Sequence, residues 1–278
     1  MTVTLADLPR RQGSKDPQLA ALDGQATAKR GRNLLTVASG KGGVGKTWFS
    51  ISLSHALARA GKRALLFDGD LGLANVDIQL GLLPTRDLAA VIGGQASLKD
   101  VVERYSDESK TGFDIIAGRS GSGALGRLRP QLLAELREKL ISFGEGYDHV
   151  VLDMAAGVDA QVATLADHGG RTLVVVTPDP TSITDAYAFI KLHRQRDPQA
   201  EIHVVVNQAG DRFEAQRTYD TIKRAAENFL KFSPPLLGTI RRDRNVTAAI
   251  REQRPLLARY PLAPASEDVT AIAARLIG

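Results

Sequence analysis

The chain has 278 residues, 43% of them hydrophobic and 24% charged, with a net charge of +5. These proportions suit one large domain or two small ones built around a sizeable core, and the mild positive charge permits acidic partners without requiring them. The absence of cysteine removes disulfides, thiol catalysis, thiolate metal sites and cysteine-held iron–sulfur clusters together.

Residues 1–31 are polar, charged and weakly periodic. They predict a flexible N-terminal arm with one short helix around residues 17–22, followed by a folded domain over 32–278. The chain opens without a secretory apolar segment, and no apolar run reaches bilayer length, which predicts a cytoplasmic protein.

Residues 33–39 read as a short buried strand. It runs into Gly40, Lys41, Gly42, Gly43, Val44, Gly45, Lys46 and Thr47, which fill the phosphate-binding pattern G-x-x-x-x-G-K-[ST]. The glycines let the backbone curl so that successive N–H groups point at phosphate oxygens. Lys46 reaches the outer phosphates and the Thr47 hydroxyl can ligate Mg²⁺. Residues 48–58 have helical spacing and Gly61 ends that helix, so the loop opens a helix whose positive end faces an anion. Lys41 is placed too early in the loop to repeat the work of Lys46, and a nucleotide across a dimer interface is the candidate for it.

A strand over 63–68 ends in Asp68-Gly69-Asp70. One of these carboxylates can position an attacking water while the other helps hold Mg²⁺ through its hydration shell. Further on, the pattern predicts a strand over 113–117, a helix over 131–143 and a strand over 149–153 that ends in Asp153, the usual form of a second Mg²⁺-associated carboxylate. Gly157, just beyond, lets a backbone N–H approach the outermost phosphate of ATP and so distinguish it from ADP. A helix is expected over 160–168, a strand over 171–177, a helix over 182–194, a strand over 201–207, a helix over 212–230 and a strand over 236–240. Helices around 246–253 and 266–277 close the chain. The strands at 173–176 and 204–206 are apolar without interruption, which means burial on both faces. The fold class is therefore α/β, a doubly wound and mostly parallel sheet with helices on both faces, of the phosphate-loop NTPase type. Lys46, Thr47, Asp68, Asp70, Asp153, residues 178–185, Asn207 and Asp243 all fall at carboxyl ends of strands, where such sheets bind ligands. The five histidines lack metal-site spacing and read as structural or surface residues.

Together these residues resemble the MinD/ParA family of ATPases, whose phosphate loop has the form KGGVGKT, here Lys41 through Thr47. Within it, Asp70-Leu71-Gly72-Leu73-Ala74-Asn75-Val76-Asp77 and Thr181-Ser182-Ile183-Thr184-Asp185-Ala186-Tyr187 resemble the flagellar-number regulator branch, FlhG/FleN. The resemblance implies a homodimer that sandwiches ATP, with Lys41 crossing to the partner's nucleotide and Asp70 positioning the water. It places Thr47, Asp68 and Asp153 around Mg²⁺, Asn207 on the adenine and Asp243 near the base. It implies ATP hydrolysis to ADP as a timer that regulates flagellar number or placement. The partners would be a signal-recognition-particle-type flagellar GTPase, and a flagellar regulator or basal-body component, with recruitment to the pole or membrane through them.

Three segments depart from the family pattern. Arg241 and Arg242 stand where relatives have a proline, and Trp48 stands where they have a small or polar residue, which predicts buried packing. Asp16-Pro17-Gln18-Leu19-Ala20-Ala21-Leu22 matches the branch's GTPase-stimulating segment only loosely. Residues 274–278 read as the end of the last core helix, with Leu276 and Ile277 as packing, so autonomous membrane binding is not expected. Arg241, Arg242, Arg244, Arg251, Arg254 and Arg259 cluster late in the chain and keep open a second reading, a ParA-like positioning ATPase that uses DNA as its track.

Overall fold

The computed structural model describes residues 31–84, 88–118 and 128–278. The expected N-terminal arm over 1–31, with the short helix expected around 17–22, falls outside the described residues except for Gly31. Strand β1, Leu34–Ala38, is buried along its whole length and delivers the chain into the glycine loop. Helix α1, Lys46–Arg59, then starts at Gly45 and stops at Ala60, with Gly61 in the left-handed region. Strand β2, Ala64–Gly69, is followed by two short helices, α2 (Val76–Leu80) and α3 (Leu88–Ile92). Strands β3 (Val102–Ser106) and β4 (Gly112–Ile116) form a hairpin that leads to helix α4, Pro130–Gly144. From there strands and helices alternate through β5 (His149–Met154), α5 (Ala160–Ala166), β6 (Arg171–Val176), α6 (Pro180–Arg196), β7 (Glu201–Ala209), α7 (Arg212–Leu230) and β8 (Leu236–Arg241). Helices α8 (Arg244–Arg251), α9 (Leu256–Arg259) and α10 (Pro264–Ile277) finish the fold.

The strand order is β3-β4-β2-β5-β1-β6-β7-β8, and every pairing is parallel except the β3–β4 hairpin. Because side chains alternate along a strand, each strand feeds two cores. Leu34, Phe67, Leu152, Val174 and Val206 pack on the face covered by α4 to α7. Leu35, Leu66, Val151, Val175 and Val205 pack on the other face, with α1, α9 and α10. Fully burying one such side chain contributes about 1.5–3 kcal/mol, so this double burial is what selects a parallel sheet. Trp48 is buried in the second core, and Leu276 of α10 is buried there too. Among the described residues no helix is long and apolar enough to cross a membrane.

The doubly wound α/β architecture matches the sequence pattern, and two kinds of element do not announce themselves there. Strand β3 is a polar, half-exposed edge, so it carries no apolar run. Helices α2, α3 and α9 are too short for a helical period to register.

Candidate functional site

The loop between β1 and α1 is held from several sides. Gly43 and Gly45 have φ of 77° and 91°, a backbone that side chains rarely adopt. A side chain at Gly40 would collide with the backbone carbonyl of Asp185 in α6, so only glycine lets the loop lie against that helix. Asn207, at the end of β7, donates from Nδ2 to the Val44 carbonyl at 2.7 Å, and the Ser39 hydroxyl donates to the Lys41 carbonyl at 2.7 Å. Helix α1 has no side-chain cap, whereas α5, α6, α7 and α8 are each capped by an aspartate: Asp159, Asp179, Asp211 and Asp243. Its first N–H groups are thus left for an anion, and its dipole favours one.

Lys46 is buried, with Nζ 2.9 Å from the Ser39 hydroxyl. Burial lowers its pKa, and the charges of Asp153 and Asp70 work against that. Asp153 is buried and register-paired with Asp68 across β5 and β2. Burial pushes the Asp153 carboxyl up to about 6 against the Thr47 and Ser50 hydroxyls and Lys46. Burial, then the charge of Asp153, raises Asp68 well above the usual carboxylate range. Asp68 also organises the segment that follows it. Its Oδ1 accepts from the Asp70 N–H at 3.1 Å, and its Oδ2 accepts from the Asn75 and Val76 N–H groups at 3.2 Å. Asp70, half-buried at the strand exit, accepts the Leu73 N–H at 2.9 Å.

Thr47, Asp68 and Asp153 are hard oxygen donors gathered beside the loop, which fits Mg²⁺ held jointly by phosphates, water and few protein ligands. Among the described residues no group of three or more His, Asp or Glu side chains is placed to cage a metal alone. Ser50 lies 3.0 Å from both the Lys46 carbonyl and Asp153 Oδ1, and so orients the carboxylate. Sequence reasoning missed it, although a serine one helical turn beyond Lys46 shares its face.

Several predicted residues bond within the chain. Lys41 bonds within its own chain to Asp179, at 3.2 Å, and to the Thr181 hydroxyl. The Gly157 N–H donates to the Ser39 carbonyl at 2.9 Å, and Gly157 has a φ of 107°. Asn207 is buried, with Oδ1 accepting the Gln208 N–H at 2.9 Å. Asp243 accepts the Asn245 N–H at 2.9 Å and the Ala265 N–H at 3.2 Å. The cavity that borders the loop, of about 470 Å³, is lined by Lys41, Val44, Pro178, Gln208, Glu214 and Arg242, among others. A larger opening of about 930 Å³ lies between α3 and α4 and carries none of the predicted site residues. The late arginines do not form one uniform basic face. Arg241 is tied to Glu267 and Asp268, Arg254 to Glu108, and Arg259 to Glu252.

A family model, the CobQ/CobB/MinD/ParA nucleotide binding domain, matches residues 35–256. The chain is 36% identical over 243 residues to the antiactivator FleN of Pseudomonas aeruginosa, covering 87% of this chain and 85% of that protein. It is 29% identical over 254 residues to the flagellum site-determining protein YlxH of Helicobacter pylori, covering 90% and 83%. The septum site-determining protein MinD of Pyrococcus horikoshii, solved with Mg-ADP, superposes with a TM-score of 0.72 at 22% identity, covering 88% of this chain and 95% of that one.

Proposed function

This chain belongs to the CobQ/CobB/MinD/ParA nucleotide-binding family and has the fold of a MinD-like ATPase, and from that premise we propose that it is an ATP-switched regulator of flagellar number or placement. The likeness to FleN, an antiactivator, and to YlxH, a flagellum site-determining protein, supports the flagellar part. One observation carries the switch. The phosphate loop and the segment 181–187 are joined directly, through Gly40 on Asp185 and Lys41 on Thr181 and Asp179. A phosphate arriving at the loop therefore acts on the helix that carries the branch-specific residues.

In this reading the loop N–H groups from Gly40 to Thr47 and the Lys46 ammonium hold the phosphates of ATP. Magnesium, when bound, neutralises phosphate charge and brings ordered water; Thr47, Asp68 and Asp153 would hold it. Asp70 orients the attacking water at the outermost phosphate. Lys41 leaves Asp179 and Thr181 and crosses to the nucleotide of a second copy, so dimerisation depends on ATP. Gly157 gives up the Ser39 carbonyl when the outermost phosphate offers its N–H a better acceptor. Asn207 works as a brace of the loop.

Flagella counted on cells lacking the protein, with and without complementation, test the biological role. Extra or misplaced flagella, restored by the wild-type chain and not by Lys46→Ala, are expected. Normal flagella in a flagellated host would overturn it and leave the ATPase.

A further inference from the structure

The opening of about 930 Å³ shares no residue with the phosphate loop or with Asp68, Asp70, Asp153 or Asn207. One wall runs from the end of α3 through Gly93-Gly94-Gln95-Ala96 into a 3₁₀ turn, Leu98–Val101. The other is the last turns of α4, through Lys139 and Phe143. Each wall is fixed within this chain. The Gly94 and Gln95 N–H groups donate to the Val91 and Ala90 carbonyls at 3.1 and 2.8 Å, and Gly94 has a φ of 71°, which suits glycine. Ser97 donates from its N–H and its hydroxyl to Asp100 Oδ2, at 2.9 and 2.7 Å, and so closes the 3₁₀ turn. Val91 and Leu98 of one wall and Leu136 and Leu140 of the other belong to one core, which holds the walls at a set separation. The groove is therefore preformed.

Its two chemistries are layered. Val91 and Leu98, both buried, and Ala96 and Phe143, both half-buried, make an apolar floor. Lys99 and Lys139 are exposed on opposite walls, and among the described residues neither ammonium makes a hydrogen bond or ion pair. Asp100 is the one carboxylate among the described lining residues, and it is committed to Ser97. An apolar floor beneath uncommitted positive charge complements an occupant that is apolar on one side and acidic along its edges. Two turns of α-helix, about 11 Å long and about 10–12 Å across, fill about 850–1,200 Å³, which matches the opening. We propose that this groove docks about two turns of an acidic amphipathic helix from a partner protein. Its apolar side chains at i, i+3 or i+4 and i+7 sit on Val91, Leu98 and Phe143, and its flanking carboxylates meet Lys99 and Lys139.

Selection of helical peptides about 14 residues long from a displayed library tests this, on the immobilised full chain, with the double variant Lys99→Glu/Lys139→Glu as the counter-selecting surface. Selected peptides should carry aspartate or glutamate beside apolar residues at that spacing. A fluorescein-labelled synthetic copy, read by anisotropy, should bind the double variant about tenfold more weakly than wild type, because two attractions become repulsions. Its binding to wild type should weaken between about 50 and about 300 mM salt. A copy with lysine in place of its acidic residues should prefer the double variant. Both substitutions are on the surface, so the variant should melt with wild type and bind ADP equally; if it does not fold, Lys99→Ala/Lys139→Ala takes its place.

A selection that yields no peptide able to distinguish wild type from the double variant would overturn the proposal. So would selected peptides that are basic or uncharged, or equal affinity of the acidic copy for both proteins. A nucleotide-free dimer lost in the double variant would make a second copy the occupant and overturn the partner helix. Loss of ADP binding alongside peptide binding would also overturn it, since the groove and the phosphate loop would then not be separate sites.

Discussion

The two ends of the central sheet both bury titratable groups against neighbouring strands, and they treat them oppositely. At the carboxyl end, Asp68 and Asp153 are register partners, both buried and both raised above the usual carboxylate range. Toward the amino end, Thr36 and Thr172 are register partners on β1 and β6. Thr36 Oγ1 lies 2.6 Å from His168 Nε2, and Thr172 Oγ1 lies 3.2 Å from His193 Nε2. Burial drives His168 down to about 3, with His193 and Arg137 adding to the effect. The threonine–histidine pairs are neutral and satisfied from within, so they stabilise the fold without a ligand. Ionising both carboxyls would leave more negative charge than one buried lysine balances, which is why burial and their mutual repulsion raise them, and a cation would relieve that cost. Buried polarity thus builds structure where it closes on itself and chemistry where it does not.

Breaking the carboxyl end should have the larger effect. Lys46→Ala removes the cation between Asp153 and Asp70 and should weaken ADP by about 100-fold or more, read by calorimetry. Unchanged affinity would take Lys46 out of phosphate binding. Asp70→Ala should cut ATP turnover about 100-fold while ADP affinity holds, because the carboxylate orients water rather than phosphate. Normal turnover in a phosphate-release assay would remove Asp70 from the mechanism.

The amino end should respond in stability alone. His168→Ala leaves a cavity and strips Thr36 of its partner, which should lower unfolding free energy by about 2–3 kcal/mol in urea. ADP affinity of the folded variant should match wild type; a parallel loss would mean that the two ends are not independent.

The smallest effect, and the sharpest comparison, is in acid. The unfolded chain protonates His168 near its ordinary value of about 6.5. The folded chain resists until about 3. Stability from this group is therefore complete above about 6.5 and falls as pH drops toward 3, by at most about 1.4 kcal/mol per pH unit. Asp153 has the opposite sign. Its folded value of about 6 exceeds the unfolded one, so protonation relieves its burial as pH falls through 6. Melting of nucleotide-free protein at pH 7.5 and pH 5 should show a smaller acid loss in His168→Asn than in wild type. Equal losses would show that His168 does not titrate across the unfolding transition.

The alternation of elements from β5 to β8 is legible in the chain because continuous apolar strands and periodic helices leave local signals, as at 173–176 and 212–230. The phosphate loop is legible for the same reason, since glycine spacing is a local backbone requirement. Strand β3 is not, because a polar edge strand earns its place only through pairing with β4. The neighbours of Asn207 and Asp243 were also hidden. An irregular residue at Gln208 changes which side chain meets the cavity, and nothing in the local residue types marks that shift.

By itself the sequence determined the α/β class, the phosphate loop and the residue types gathered at the strand ends, because these follow from short-range spacing and side-chain chemistry. Tertiary structure alone decided that Lys41 rests on Asp179 and Thr181 of its own chain, that Asn207 braces Val44, and that Asp68 and Asp153 face each other. The physical reason is separation along the chain. Asn207 and Val44 are 163 residues apart, and only sheet register and the packing of α6 against the loop bring such groups within bonding distance.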